Sequence, residues 1–99
     1  MKISVHPEAN EETQRAGRHY TEIHPELGKN FRAEVEEALT RISEAPTAWH
    51  PLKKDFRRCS LNRFPFGIIY RLREEENECQ IFAVMHFKRK PGYWEHRRF

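Results

Sequence analysis

Two stretches, "LNRFPFGIIYRL" at residues 61–72 and "IFAVMHFKRKPGYWEHR" at residues 81–97, decide how this chain folds. Each is an apolar, strand-like run with basic and aromatic residues beside it. Residues 79–87 are the most apolar run of the chain and are expected to form the central strand, buried on both faces. Residues 66–73, with Ile68, Ile69, Tyr70 and Leu72, are expected beside it, and residues 56–62 alternate loosely as a further strand. Pro65 falls at a strand start, where a missing amide donor is tolerated. The short links "NRFP" and "EEENE" favour antiparallel hairpins.

Upstream, residues 2–6 alternate as a short strand with Ile3 and Val5 facing inward. Pro7 suits the first position of a helix, and Glu8, Glu11 and Glu12 fill opening turns that favour acidic groups. Ala9, Ala16, Tyr20 and Ile23 share one side of that helix, and Gly17 weakens it or admits a close neighbour. Pro25 interrupts the pattern. A second helix from about Pro25 or Gly28 carries the stripe Leu27, Phe31, Val35, Ala38, Leu39 and Ile42, with Arg32, Glu36, Glu37 and Arg41 turned to water, and ends at Pro46. Residues 47–55 form a turn-rich link in which Trp49 caps the core. The order strand, helix, helix, three strands predicts an α+β domain over residues 1–99. In it an antiparallel helical hairpin packs on one face of a small, mainly antiparallel sheet. The other face is expected to be open, displaying basic and aromatic side chains of the last two strands and the tail.

A chain of 99 residues supports one core, and with a hydrophobic fraction of 37% the seven Phe, three Tyr and two Trp must carry much of the buried area. No run approaches the length of a membrane span and nothing before Pro7 resembles a signal peptide, so a soluble cytoplasmic protein is expected. Cys59 and Cys79 make no disulfide framework and no zinc pattern; buried free thiols are expected. No cofactor or metal is expected: His19 and His24 lack a partner at ligand spacing, and no HExxH or Gly-rich phosphate loop occurs. Residues 1–52 carry six Lys/Arg against nine Asp/Glu, whereas residues 53–99 carry twelve against six. A basic strand-forming half suits a polyanionic partner, either nucleic acid or an acidic protein segment, or is simply a solvated face.

The chemistry concentrates after the most apolar strand. His86, Lys88, Arg89 and Lys90 precede Tyr93 and Trp94, a combination able to hold phosphate and stack a base, with His86 as a general acid or base. Alternatively, Tyr93 and Trp94 anchor the tail on the core and His86 bonds the backbone. Arg57, Arg58 and Arg63 could converge on one phosphate or pair with residues 74–78. Ser43, Ser60 and both cysteines lack the surroundings of a nucleophile.

Taken together, "RFPF…Y" and "AVMH…KRKPGYW" resemble the RelE/ParE superfamily of small bacterial toxins, in particular the ParE-like plasmid-stabilisation branch. "LGKNFRAEVEEALTRISEAPTAW" is similar to that branch's second helix and the turn after it, and "RRCSLNRFPFGIIYRL" to its second and third strands. The resemblance implies a toxin of a type II toxin–antitoxin system, neutralised by a cognate antitoxin with which it can form a hetero-oligomer. ParE-like members inhibit DNA gyrase; RelE-like members cut messenger RNA on the ribosome without a metal. The arginine of RelE-like nucleases would fall near Gly67, and their basic pair maps to Arg58 and Ser60, so one cation is kept. If the chain is a nuclease, the resemblance leaves His86, Arg63, Lys88 and Tyr93 as a variant catalytic set. If it binds a target instead, Arg57, Arg58, Arg63, Lys88, Arg89, Lys90 and Trp94 are the contact residues. The pattern is the more ParE-like, and a non-toxic antitoxin-binding module is a third reading.

Overall fold

The computed structural model describes all 99 residues, Met1–Phe99. Its elements run β1 (Lys2–Val5), α1 (Pro7–Ile23), α2 (Pro25–Glu44), β2 (His50–Pro51), β3 (Phe56–Ser60), β4 (Phe66–Arg73) and β5 (Glu78–His86). The strands form one sheet in the order β1-β5-β4-β3-β2. Neighbours from β2 to β5 are antiparallel, while β1 lies parallel to β5 with Lys2 opposite Glu78 and Val5 opposite Ile81. The acidic link between β4 and β5 is a single 3-10 turn, Glu74–Glu76, closed by Asn77 in the left-handed region at φ 52°.

Both helices open on the same tripeptide, His-Pro-Glu. His6 and His24 each turn Nδ1 onto the amide of the glutamate two residues on, at 3.0 and 3.1 Å, and so cap α1 and α2. Proline follows each cap, where its missing donor costs nothing. One residue, His24, separates the helices, so they fold back as a hairpin. Phe31, Val35, Ala38 and Ile42 of α2 join Ala9 and Ala16 of α1 over Phe66, Ile68, Tyr70 and Ile81 of the sheet. The rings of Phe31 and Phe64 meet edge to face at 5.2 Å, and Tyr20 closes the same group.

The expected elements form where the apolar spacing put them, with five corrections. The far face of the sheet is not open. The chain after β5 folds back across it, and Trp94 joins Phe56, Ile69, Phe82, Ala83 and Met85 in a second core. A bulge explains the need for cover: Ile69 pairs with Ala83 and Tyr70 with Ile81, so Phe82 is an extra residue and adds a ring to that face. The middle of the sheet belongs to β4, with β5 second in order, because β2 adds a strand within the link read as turns. Val5 is 39% exposed, since β1 is an edge strand with no outer neighbour, and Ile23 is 61% exposed, one turn past the last contact of α1 with Phe64 and Phe66. Arg41 is half-buried rather than solvated, its guanidinium 5.9 Å above the Trp49 ring.

Candidate functional site

The basic residues of β3 and of the chain after β5 fall on different surfaces because strand side chains alternate. On β3, Phe56 and Arg58 face the tail while Arg57 and Cys59 face the helices. Arg57 donates to the Trp49 carbonyl at 2.9 Å and pins the link that carries it. Arg58 crosses the other face, its guanidinium 5.8 Å from the Phe87 ring centroid. Arg63 stands in the β3–β4 link, where the buried Glu34 of α2 accepts from the amides of Asn62 and Arg63, each at 3.1 Å, and from Arg63 Nε at 3.4 Å. The three arginines do not converge.

His86 ends β5 on the helix side, its ring 4.9 Å from Phe66, in a shallow groove against Ala16, His19 and Tyr20 of α1. Its Nδ1 accepts from the Lys88 amide at 3.0 Å, which leaves Nε2 facing the groove. Lys88 and Lys90 are exposed and form no ion pair. Arg63 and His86 share one end of the sheet, since the Phe87 amide bonds the Pro65 carbonyl at 2.9 Å. Apart from that bond to the Lys88 amide, no hydrogen bond joins Arg63, His86, Lys88 and Tyr93, and none links their side chains to one another.

Tyr93 has a different employment. Its hydroxyl donates to Glu12 Oε2 at 2.6 Å. Glu12 is buried beneath the tail and also accepts from Arg97 at 2.9 and 3.1 Å, from Arg89 at 3.2 Å and from the Val84 amide at 2.9 Å. Burial, then the bond to the Glu12 carboxylate, push the Tyr93 hydroxyl well above the usual phenol range. Arg97, almost fully buried, is opposed in its charge by burial, but the Glu12 bond outweighs that and holds its pKa above the ordinary value. Arg89 lies flat on the Tyr93 ring, 3.6 Å from its centroid. Thus Tyr93 and Arg89 are parts of a carboxylate-centred lock between α1, β5 and the tail. Trp94 is 2% exposed, its ring 4.7 Å from Phe56, so its face is closed to a stacking base.

Three residues organise this region: Glu12, read from the sequence only as an acidic group in the opening turns of α1, and Glu34 and Arg97, which the sequence did not single out. The first two carried a signal: Glu12 falls between Ala9 and Ala16, and Glu34 between Phe31 and Ala38, so each is a carboxylate on the buried stripe of its helix. Cys59 and Cys79 are buried free thiols, and burial raises the pKa of both. No helix is long and apolar enough to cross a membrane.

A helical hairpin on a five-stranded sheet, closed by its own C-terminal segment and edged with cations, is the build of a small toxin of the RelE/ParE superfamily. A family model described as the ParE toxin of type II toxin–antitoxin system, parDE, matches residues 3–91. The chain belongs to the ParE toxin family, one half of a toxin–antitoxin pair. Among solved structures it is similar to one described as "Chromosomal ParDE TA system from P. aeruginosa", with a TM-score of 0.77 and 20% identity over 89% of this chain and 97% of that chain. At that identity the likeness bears on the fold. No curated protein matches the chain.

Proposed function

We propose that this ParE-type toxin works in the cytoplasm by binding and inhibiting DNA gyrase, not by cutting RNA, and that a cognate antitoxin restrains it. One observation carries the preference for binding over cleavage. Tyr93, one of the side chains in the candidate catalytic set, is already committed to the buried Glu12, whereas Arg63 is held to Glu34 only through Nε and stays 64% exposed. A tyrosine whose hydroxyl is driven above its ordinary range by burial is a poor proton acceptor near neutral pH. His86 and Lys88 remain, without a second cation aimed at the same atom. The exposed and unpaired Lys88 and Lys90 instead suit a docking surface for a macromolecule.

The test is a supercoiling assay with purified gyrase, titrated with the full-length protein, beside induction in cells lacking antitoxin. We expect supercoiling to fall with added protein, His86→Ala to keep that effect, and messages to stay intact. Cuts in ribosome-bound messages that vanish in His86→Ala would overturn the proposal in favour of the nuclease reading. Induction without effect on growth would leave an antitoxin-binding module.

A further inference from the structure

On the tail side of the sheet, between the β2–β3 turn and residues 91–95, lies a cleft of about 560 Å³. Ile69, Met85 and Trp94 form its floor. Leu52 and Phe87, two of the few large apolar side chains left exposed, at 39% and 46%, form its walls. Its rim carries Lys53, Arg58 and Glu95. Lys53 and Glu95 satisfy each other at 3.1 Å. Arg58 has no such partner: it makes no ion pair and no side-chain hydrogen bond, and only the Phe87 ring lies against its guanidinium. Arg58 is a half-buried residue, and a guanidinium whose five donors meet no acceptor in the chain can take an oxyanion.

The position of Arg58 is built into the sheet. Gly67 stands beside it on β4, and a Cβ there would come within 2.9 Å of Arg58 Cγ and Cδ and 3.3 Å of the Phe87 ring. The absence of a side chain at Gly67 leaves room for the Arg58 stem, whose guanidinium lies by the Phe87 ring at the edge of the cleft.

We infer that this cleft is a docking site for an acidic peptide segment of a protein partner, which seats a bulky apolar side chain on Ile69, Met85 and Trp94 and sets a neighbouring carboxylate on Arg58. The volume accepts one large side chain and its flanks. The charge balance selects the occupant. Lys53 and Glu95 cancel each other on the rim, so the spare Arg58 guanidinium, with exposed Lys88 and Lys90 nearby in the chain, gives the cleft its charge and attracts an acidic segment. Only Phe87 offers an exposed ring, since Trp94 shows the cleft little more than an edge, and single strands are held by successive stacking platforms. The inference holds whichever macromolecule the toxin acts on.

The test uses the full-length protein and calorimetric titration with an acetylated, amidated peptide, Asp-Glu-Leu-Glu-Phe-Asp. Saturable binding is expected, weakened about tenfold or more by Arg58→Gln, by replacing the carboxylates with amides, or by replacing Leu and Phe with Ser. Gly67→Ala keeps every charge but displaces Arg58, and is expected to weaken binding as well, with folding checked by circular dichroism. Arg73→Gln, at the far end of β4, should leave affinity unchanged. Any of four results overturns the inference: no saturation at about 1 mM peptide, undiminished affinity in Arg58→Gln, equal affinity for the amide peptide, or displacement of the peptide by a single-stranded oligonucleotide. The peptide-side substitutions keep the outcome decisive if a protein variant misfolds.

Discussion

At the scale of single residues, Glu12 does the most. One buried carboxylate accepts from two arginines, a tyrosine and a strand amide, so a substitution there strands several donors at once. Glu12→Ala is expected to cost about 3–5 kcal/mol, because removing one partner of a buried pair leaves the other charge uncompensated. Arg89→Ala should cost less than about 1 kcal/mol, since that side chain is 47% exposed. Urea unfolding of the two variants measures both. The tyrosines add a pH dependence. Burial raises the pKa of Tyr20, Tyr70 and Tyr93 alike, and Tyr70 donates to the Pro46 carbonyl. A raised folded pKa favours the protonated ring in the folded state. The stability it brings is therefore complete below the unfolded value of about 10 and drains away as pH climbs through the folded values. Tyrosinate absorbance and the far-ultraviolet dichroism should change together on raising the pH; a tyrosine that ionises near its ordinary value with the fold intact would refute this. The buried role of Glu12 could be read in advance from its place between two core alanines. Its partner Arg97 could not, because nothing local tells Arg97, which is buried, from the adjacent Arg98, which is exposed.

At the scale of elements, the helical hairpin was the most legible part of the fold. The stripe of α2 and the prolines at each helix start fixed its bounds, while the histidine caps escaped notice because His is not among the usual capping residues. The hairpin depends on a close crossing. A Cβ at Gly28 would overlap Thr21 Oγ1 and approach the Gly17 carbonyl to 2.9 Å. Gly28→Ala should therefore destabilise by about 1–3 kcal/mol through overpacking, reversing the sign that helix propensity alone would give. Thermal unfolding decides it: a variant that melts higher than the wild type would mean that Thr21 simply swings aside. The sheet was legible as strands and hairpins. Its bulge and the extra edge strand β2 were not, because each depends on pairing across the sheet and not on local periodicity.

At the scale of the whole molecule, the tail sets the difference between what was expected and what forms. The cation-rich run after β5 was read as part of an exposed face, yet Trp94 and Arg97 turn inward and make the second core possible. Of the basic and aromatic set named beforehand, the structure frees Lys88, Lys90 and Arg58 and commits Tyr93, Trp94, Arg89 and Arg63 to structural partners. Trp94→Ala is expected to cost about 3–5 kcal/mol. Removing residues 94–99 should leave a chain that binds a hydrophobic dye and lacks a cooperative melt; a truncated chain that melts sharply would show the second core to be dispensable. The parallel pairing of β1 with β5 has a further consequence for the life of the protein in a cell. The first strand to leave the ribosome must wait for the last, and Glu12 must wait for Arg97, 85 residues away. A growing chain can thus complete neither its sheet nor its lock until residue 97 has been made and has left the ribosome, so closure of the toxin fold comes late and joins its two ends in one event.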